Sequence, residues 1–105
     1  MNIERIEHGT LEDGGAIYVY KLTNANGASV TLCNIGAGIV SIVVPDKDGK
    51  MTDVVLGYKD LASYIGDGPC AGKVPGRFSN RIKEGKFSID GKEFQLVLNT
   101  GEGKH

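Results

Sequence analysis

The chain has 105 residues, with 12 Lys and Arg against 13 Asp and Glu, which gives a formal net charge of −1. This length allows one domain or part of one, and a hydrophobic fraction of 40% argues against a disordered chain. The balanced charge offers no general attraction to nucleic acid or to an anionic membrane, so neither is predicted as a partner. The 16 glycines predict many tight turns.

The N-terminal residues mix charged side chains with Ile and lack the apolar segment of a signal peptide. No apolar stretch approaches the ~20 residues that a membrane-spanning helix needs. We therefore predict a cytoplasmic protein. Cys33 and Cys70 have no metal-type spacing, and Cys33 lies in an apolar run, which predicts a buried thiol rather than a disulfide.

Alternation of apolar and polar residues predicts a β-hairpin in the first third of the chain. Residues 17–22 are β-branched and aromatic, and residues 28–33 alternate Ala, Val and Leu with Ser and Thr. The intervening residues 24–27 read Asn-Ala-Asn-Gly, which tolerate the positive φ angles of a hairpin turn.

Further short strands follow the hairpin. We predict strands at 39–44, ended by Pro45, and at 53–57, with a polar turn at 46–50 between them. Asp60 is a candidate N-cap for a helical turn at 61–64. A second hairpin, with strands at 86–89 and 93–98, is predicted around Asp90-Gly91. The fold class is therefore all-β and antiparallel, and periodicity leaves a sandwich, a barrel or a large supersandwich open.

The residues alone predict no catalytic centre. His8 and His105 lie too far apart in sequence for a metal-binding motif, and no general acid–base pair can be assigned. No metal site and no cofactor are predicted.

Residues 76–82, which read Gly-Arg-Phe-Ser-Asn-Arg-Ile, contain the side chains best suited to a ligand. In an extended conformation Arg77, Ser79 and Arg81 would share one face. Arg offers a planar fork of donors and Asn both donates and accepts, which suits a ligand rich in hydroxyl groups. The alternative is structural, with an Arg packed against a carboxylate to stabilise a loop.

Several ordered motifs resemble those of the aldose 1-epimerase (galactose mutarotase) family. The resemblance covers nearly all of the chain, and its most specific part is GR-x-x-NRI at 76–82 followed by GKF and DGK. The other matching pieces are Leu22-Thr23-Asn24, Gly27, Ile35-Gly36-Ala37, Val44-Pro45-Asp46, Gly49-Lys50, Asp53 to Tyr58, Tyr64, Glu93-Phe94 and Leu96.

The resemblance implies a galactose mutarotase-like β-supersandwich about three times as long as this chain. Residues 1–105 would then be the N-terminal part of one such domain, apparently truncated. The family interconverts the α and β anomers of hexoses such as galactose and glucose without a metal or an organic cofactor. A carboxylate base removes the proton of the anomeric hydroxyl while a histidine protonates the ring oxygen, so that the ring opens and closes on its other face.

The resemblance also assigns site residues. Asn80 and Arg81 match the substrate-binding Asn-Arg pair, and Arg77 matches an arginine for which we predict a supporting, structural role. Pro75 departs from the apolar, Gly-rich run of many relatives. We interpret His105 as the residue just before the family's Leu-His-Gly-Gly element rather than as its catalytic histidine, for which it is only a weak candidate. The chain by itself is therefore expected to be inactive.

A second hypothesis is a non-catalytic β-sandwich module that binds a carbohydrate or a sugar phosphate. The basic stretch from Lys73 to Lys86 favours a phosphate group over a neutral hexose. Uncovered strand edges would also favour self-association of the chain.

Overall fold

The computed structural model describes residues 1–66 and 69–99. The chain forms two compact units, Met1–Val74 and Pro75–His105. Both units are built from antiparallel β-strands and short 3-10 helices.

The first unit is a five-stranded antiparallel sheet in which each strand pairs with the next along the chain. Its strands are β1 (Asn2–Thr10), β2 (Ala16–Thr23), β3 (Ser29–Cys33), β4 (Ile39–Pro45) and β5 (Met51–Asp53). β1 was not predicted, because Ile3 and Ile6 do not alternate with a period of two.

The predicted first hairpin is confirmed as the β2–β3 pair. Its turn is stabilised by the side chain of Asn24, whose Oδ1 accepts the backbone N–H groups of Asn26 and Ala28, each at 3.0 Å. Gly27 follows with a φ of 85°, a conformation that glycine adopts without steric cost. The polar turn at 46–50 is confirmed in the same way, since Asp46 Oδ1 accepts the N–H of Asp48 and of Lys50.

The strand predicted at 53–57 is wrong, because β5 is shorter and ends at Asp53. The Asp53 side chain explains this end. Its Oδ1 accepts the N–H of Ile42 in β4 at 3.1 Å and that of Val55 at 3.0 Å. A carboxylate oxygen thus takes the donor that a further strand residue would have bonded, and regular pairing stops.

The core of the first unit is small. The buried hydrophobic side chains among the described residues are Ile17, Val19, Cys33 and Tyr64. Cys33 is 2% exposed and not disulfide-bonded, which confirms the buried thiol.

Tyr64 ends a 3-10 helix, Leu61–Tyr64, that begins after Asp60. The predicted N-cap is confirmed, because Asp60 Oδ1 accepts the Ser63 N–H at 3.0 Å. The fully buried Tyr64 hydroxyl accepts the N–H of Tyr58 at 3.3 Å, and the two rings meet edge to face at 5.1 Å. The tyrosine pair therefore connects the irregular residues after β5 to this helix.

The second unit contains a 3-10 helix (Lys83–Gly85) and a hairpin of β6 (Lys86–Ile89) and β7 (Lys92–Gln95). Asp90 and Gly91 have φ angles of 49° and 79°, as a type I′ turn requires, so this predicted hairpin is confirmed. Phe87 and Phe94 lie opposite each other and stack at 5.3 Å.

The predicted extension of the second strand to residue 98 is wrong. The N–H of Leu96 still bonds to Gly85 O at 2.8 Å, in register with the Lys86–Gln95 pair. β6 begins at Lys86, however, and the 3-10 helix before it offers no extended backbone opposite residues 97 and 98. The antiparallel all-β class is nevertheless confirmed. None of the helices in the described part of the chain is both long and apolar enough to span a membrane.

Candidate functional site

The backbone that precedes residues 76–82 is held by the loop between β3 and β4. Gly72 O accepts the N–H of Ile39 at 2.8 Å, and Gly36 O accepts the N–H of Val74 at 3.0 Å. Gly72 has a φ of 67°, and any side chain there would run into the Ile39 carbonyl group. Pro75 follows without an N–H of its own.

Residues 76–82 do not form a strand. Bends at Arg77, Phe78 and Asn80 interrupt the extended backbone, so the alternation that would place Arg77, Ser79 and Arg81 on one face does not apply. Asn80 is exposed, and its Oδ1 accepts the backbone N–H of Arg81 at 2.8 Å. The Asn80 side chain is therefore fixed against Arg81 and still has its amide N–H groups to offer.

Arg81 lies on a surface cavity of about 740 Å³ within the second unit. Two lysines, two aromatic rings and several aliphatic side chains share this cavity with it. The lining residues are Phe78, Arg81, Ile82, Lys83, Lys86, Phe87, Ser88, Ile89 and Leu96. Arg77 and Asn80 are absent from that lining, although Asn80 adjoins it through its bond to Arg81.

A tight turn fixes the cavity wall after Arg81. Gly85 N–H bonds to Ile82 O at 2.9 Å, and Gln95 Nε2 donates to Glu84 O at 3.0 Å. Glu84 and Gly85 both have positive φ angles, 54° and 62°. A Cβ atom on Gly85 would lie 2.8 Å from Leu98 Cδ2 and 3.0 Å from Leu96 O, so this position requires glycine.

The guanidinium group of Arg81 is exposed, and no carboxylate among the described residues forms an ion pair with it. For Arg81, the described part of the chain therefore shows no carboxylate partner of the kind that the structural alternative requires. A ligand in the cavity would meet the donor fork of Arg81 beside the rings of Phe78 and Phe87, which supply flat apolar area.

This cavity is suited to binding rather than to proton transfer. The described residues that line it include no Asp, Glu or His, so this part of the lining offers no general acid or base of the usual kind. His8 belongs to the first unit, where it lines a separate cavity of about 540 Å³ with Asp60 and Lys59. His105 lies outside the described residues. Residues 1–66 and 69–99 contain no group of three His, Cys, Asp or Glu side chains that could hold a metal ion.

Reasoning from sequence missed Lys83, Phe87 and Leu96 as neighbours of Arg81. Phe87 was part of the GKF element, but nothing in its spacing indicated that its ring would reach the cavity. The signal that could have found this wall is Gly85, since a glycine that follows the polar residues Lys83 and Glu84 just before a strand is typical of a turn with positive φ.

The fold defines an antiparallel all-β protein with a partly apolar, cation-bearing surface cavity. Comparison with known proteins identifies the family. The model of the family described as "Aldose 1-epimerase" matches residues 18–105, which is most of the chain. The chain belongs to the aldose 1-epimerase family.

Individual relatives agree with this assignment. Galactose mutarotase of Rattus norvegicus is 35% identical over 99 residues, which cover 94% of this chain and 29% of the relative. Galactose mutarotase of Homo sapiens is 35% identical over 98 residues, 93% of this chain and 29% of the relative. The crystal structure of a GalM/aldose epimerase homologue from C. elegans superposes with a TM-score of 0.63 at 32% identity, over 81% of this chain and 26% of that one. The chain thus spans less than a third of the length of these relatives.

Proposed function

We propose that this chain supplies the sugar-binding Asn-Arg wall of an aldose 1-epimerase that interconverts the α and β anomers of hexoses such as galactose and glucose. The observation that carries the proposal is the exposed Arg81 guanidinium in the cavity of the second unit, with Asn80 bonded to its backbone. Membership of the family supports the reaction type. A cytoplasmic location and the absence of a cofactor belong to the same proposal.

Each side chain has a distinct role in this proposal. Arg81 donates two parallel hydrogen bonds to neighbouring sugar hydroxyl oxygens, and Asn80 donates a third from its amide nitrogen. Phe78 and Phe87 cover the less polar face of the ring and exclude water. Arg77 lies outside the cavity lining and supports the loop.

The chemical step needs groups that the described lining of this cavity does not include. Ring opening requires a base at the anomeric hydroxyl and an acid at the ring oxygen, within hydrogen-bond reach of the sugar. Since the described residues of the lining include no Asp, Glu or His, the 105-residue chain is expected to bind hexose weakly and to leave its anomeric equilibration rate unchanged.

The first test measures binding and turnover separately. Galactose is titrated into the chain and followed by NMR shifts of the Arg81 and Phe87 signals, and polarimetry follows freshly dissolved α-galactose. Arg81→Ala is expected to weaken binding by roughly 1.5–3 kcal/mol, about 10- to 150-fold, because it removes charged hydrogen-bond donors.

Arg77→Ala is the matched control, since it removes the same side chain four residues earlier and outside the cavity lining. It should change galactose affinity less than threefold. Equal losses for the two variants, or none for Arg81→Ala, would contradict the assignment of Arg81. Accelerated mutarotation by the 105-residue chain would contradict the view that its acid and base lie elsewhere.

A second candidate function is a non-catalytic module for a sugar phosphate. It is favoured by the three cations Arg81, Lys83 and Lys86 that line one cavity in which no described carboxylate takes part. Charged phosphate oxygens form stronger hydrogen bonds with such groups than neutral hydroxyls do.

Glucose 6-phosphate and glucose distinguish the two candidates. A phosphate site predicts tighter binding of glucose 6-phosphate, a loss on Lys83→Gln or Lys86→Gln, and weakening by salt. A neutral hexose site predicts equal affinity for the two sugars, little effect of either lysine variant, and little dependence on salt.

A further inference from the structure

We infer that β1 is an interaction edge whose partner is β1 of a second copy of this chain, paired antiparallel about a two-fold axis at Ile6. β1 is the first strand of the sheet, and within the described residues its one neighbour is β2. All nine of its residues are exposed, among them Ile3 at 59% and Ile6 at 47%. A long exposed edge of this kind is a template for pairing with another strand.

The hydrogen bonds of Tyr18 show which backbone groups of β1 face outward. Tyr18 N–H donates to Asn34 Oδ1 at 3.0 Å, and Tyr18 O accepts the N–H of Asn34 at 3.2 Å. Both groups therefore point away from β1. Glu7 lies opposite Tyr18, so these two residues form a non-hydrogen-bonded pair, and the N–H and C=O groups of Glu7 point away from β2. Because such pairs alternate with hydrogen-bonded pairs along an antiparallel ladder, the N–H and C=O groups of Arg5 and Ile3 face the open side as well.

Symmetry limits how two such edges can pair. A two-fold axis that relates two antiparallel edge strands runs perpendicular to the sheet. A side chain that lies on one face of the sheet in one copy therefore lies on the same face in the other copy. A residue can then lie opposite itself or opposite a residue an even number of positions away. The axis must therefore lie midway between the two copies of one residue of β1, and the outward-facing odd-numbered residues pair with one another.

Charge favours the axis at Ile6, because among the possible axes it alone places oppositely charged side chains of β1 opposite each other. An axis at Glu4 places two glutamates opposite each other, and an axis at Arg5 does the same with two arginines; like charges in such positions are destabilising. An axis at Ile6 places Arg5 opposite the second copy's Glu7, and Glu7 opposite its Arg5. Both are outward-facing residues that exchange two backbone hydrogen bonds per pair.

The same axis brings the two Ile6 side chains together. They occupy a non-hydrogen-bonded position, where opposed side chains come closest, and contact there covers part of an exposed apolar surface. The irregular register between Glu7 and Gly9 ends the regular ladder on one side. Pairing is thus confined to a short window around Ile6, and the dimer is expected to be weak and salt-sensitive.

The charge pattern allows a test by single variants and by their mixture. Arg5→Glu and Glu7→Arg should each weaken the dimer about tenfold in sedimentation equilibrium, because each places like charges opposite each other in both pairs. An equimolar mixture of the two variants should dimerise like the wild type, since every residue 5 then meets a residue 7 of opposite charge. The double variant Arg5→Glu/Glu7→Arg should also recover.

Lys47→Glu and Asp48→Arg are the matched controls, since they make the same charge changes in the exposed 46–50 turn. Neither should alter the dimer dissociation constant. A wild-type chain that stays monomeric into the millimolar range would overturn the inference. So would single variants that dimerise normally, or a mixture that fails to recover.

Backbone exchange in the wild type tests the register without any variant. As the protein concentration rises, the amide N–H groups of Arg5 and Glu7 should become protected from hydrogen exchange. Those of Glu4 and Ile6 face β2 and should not change. Protection of all four amides alike, or of none, would contradict pairing through this edge.

Discussion

Gly85 is the single residue on which the shape of the Arg81 cavity depends most directly. It is buried, it has a φ of 62°, and three atoms lie within 3.0 Å of the position that a Cβ would take. Gly91 also has a positive φ, 79°, but nothing lies within 4 Å of its Cβ position. A comparison of alanine variants at the two positions therefore distinguishes the cost of backbone strain from the cost of close packing.

We predict that Gly85→Ala destabilises the β6–β7 hairpin and the turn before it more than Gly91→Ala does. Both variants incur about 1–2 kcal/mol from the left-handed backbone conformation. Gly85→Ala adds on the order of 1–3 kcal/mol, because Leu98 and the Leu96 carbonyl must move. Hydrogen exchange of the Leu96 amide, which bonds to Gly85 O, measures both effects.

Galactose affinity gives a second measurement for the same pair of variants. Gly85→Ala should weaken binding, since the displaced turn carries the backbone that follows Arg81, whereas Gly91→Ala should not. Equal exchange rates of the Leu96 amide in the two variants would show that close packing at Gly85 contributes nothing.

At the scale of elements, Asp53 determines where β5 ends. One carboxylate oxygen accepts N–H groups from Ile42 and Val55, so a side chain replaces the backbone acceptor of a continued strand. We predict that Asp53→Ala lowers the free energy of unfolding by about 1–3 kcal/mol, because two N–H groups lose a charged acceptor. Asp53→Asn keeps an acceptor oxygen and should cost less.

Urea denaturation followed by circular dichroism measures these changes, since the chain contains no tryptophan. Thr52→Ala is a suitable control next in sequence, because its hydroxyl donates only to the exposed Lys50 carbonyl group. An Asp53→Asn variant as unstable as Asp53→Ala would show that the negative charge, rather than the acceptor geometry, holds this end of the strand.

The sequence predicted the hairpins because their signals are local. Asn24-Ala-Asn-Gly and Asp90-Gly91 sit between alternating runs, and both turns formed where expected. β1 was missed because it lacks alternation, and β5 was misplaced because the Asp53 side chain competes with strand pairing. Neither the competition at Asp53 nor the contact between Gly85 and Leu98 is visible in a local pattern, since each depends on residues about ten or more positions apart.

The same distinction applies to the candidate site. The Asn80-Arg81 pair was predicted from a motif, and the hydrogen bond from the Arg81 N–H to Asn80 Oδ1 joins residues that are adjacent in sequence. The cavity brings Arg81 together with β6 and with Leu96, which follows β7, so its lining depends on tertiary structure. The alternation expected for residues 77–81 failed because bends replaced the extended backbone.

At the scale of the whole molecule, the hydrophobic core is unevenly divided. The four buried hydrophobic side chains among the described residues all belong to the first unit. The described part of the second unit has Phe78, Val97 and Ile89 exposed at 80%, 83% and 56%. A two-stranded hairpin with so little burial is marginally stable in water.

We therefore predict that amide hydrogens exchange faster in β6 and β7 than in β2 and β3, by on the order of 100-fold or more. Local opening of a hairpin costs little when few apolar contacts break, whereas opening β2–β3 exposes Ile17, Val19 and Cys33. NMR-detected hydrogen exchange on the 105-residue chain measures both strand pairs in one sample.

The stacked pair Phe87–Phe94 joins β6 to β7 in addition to the ladder itself. Phe94→Ala should remove most of the remaining protection in this hairpin, since an aromatic pair contributes about 0.5–1.5 kcal/mol beyond its buried area. Phe94→Leu keeps apolar area without the second ring and should have an intermediate effect. Equal protection of the two strand pairs in the wild type would mean that the second unit is stabilised by something other than its own hairpin contacts.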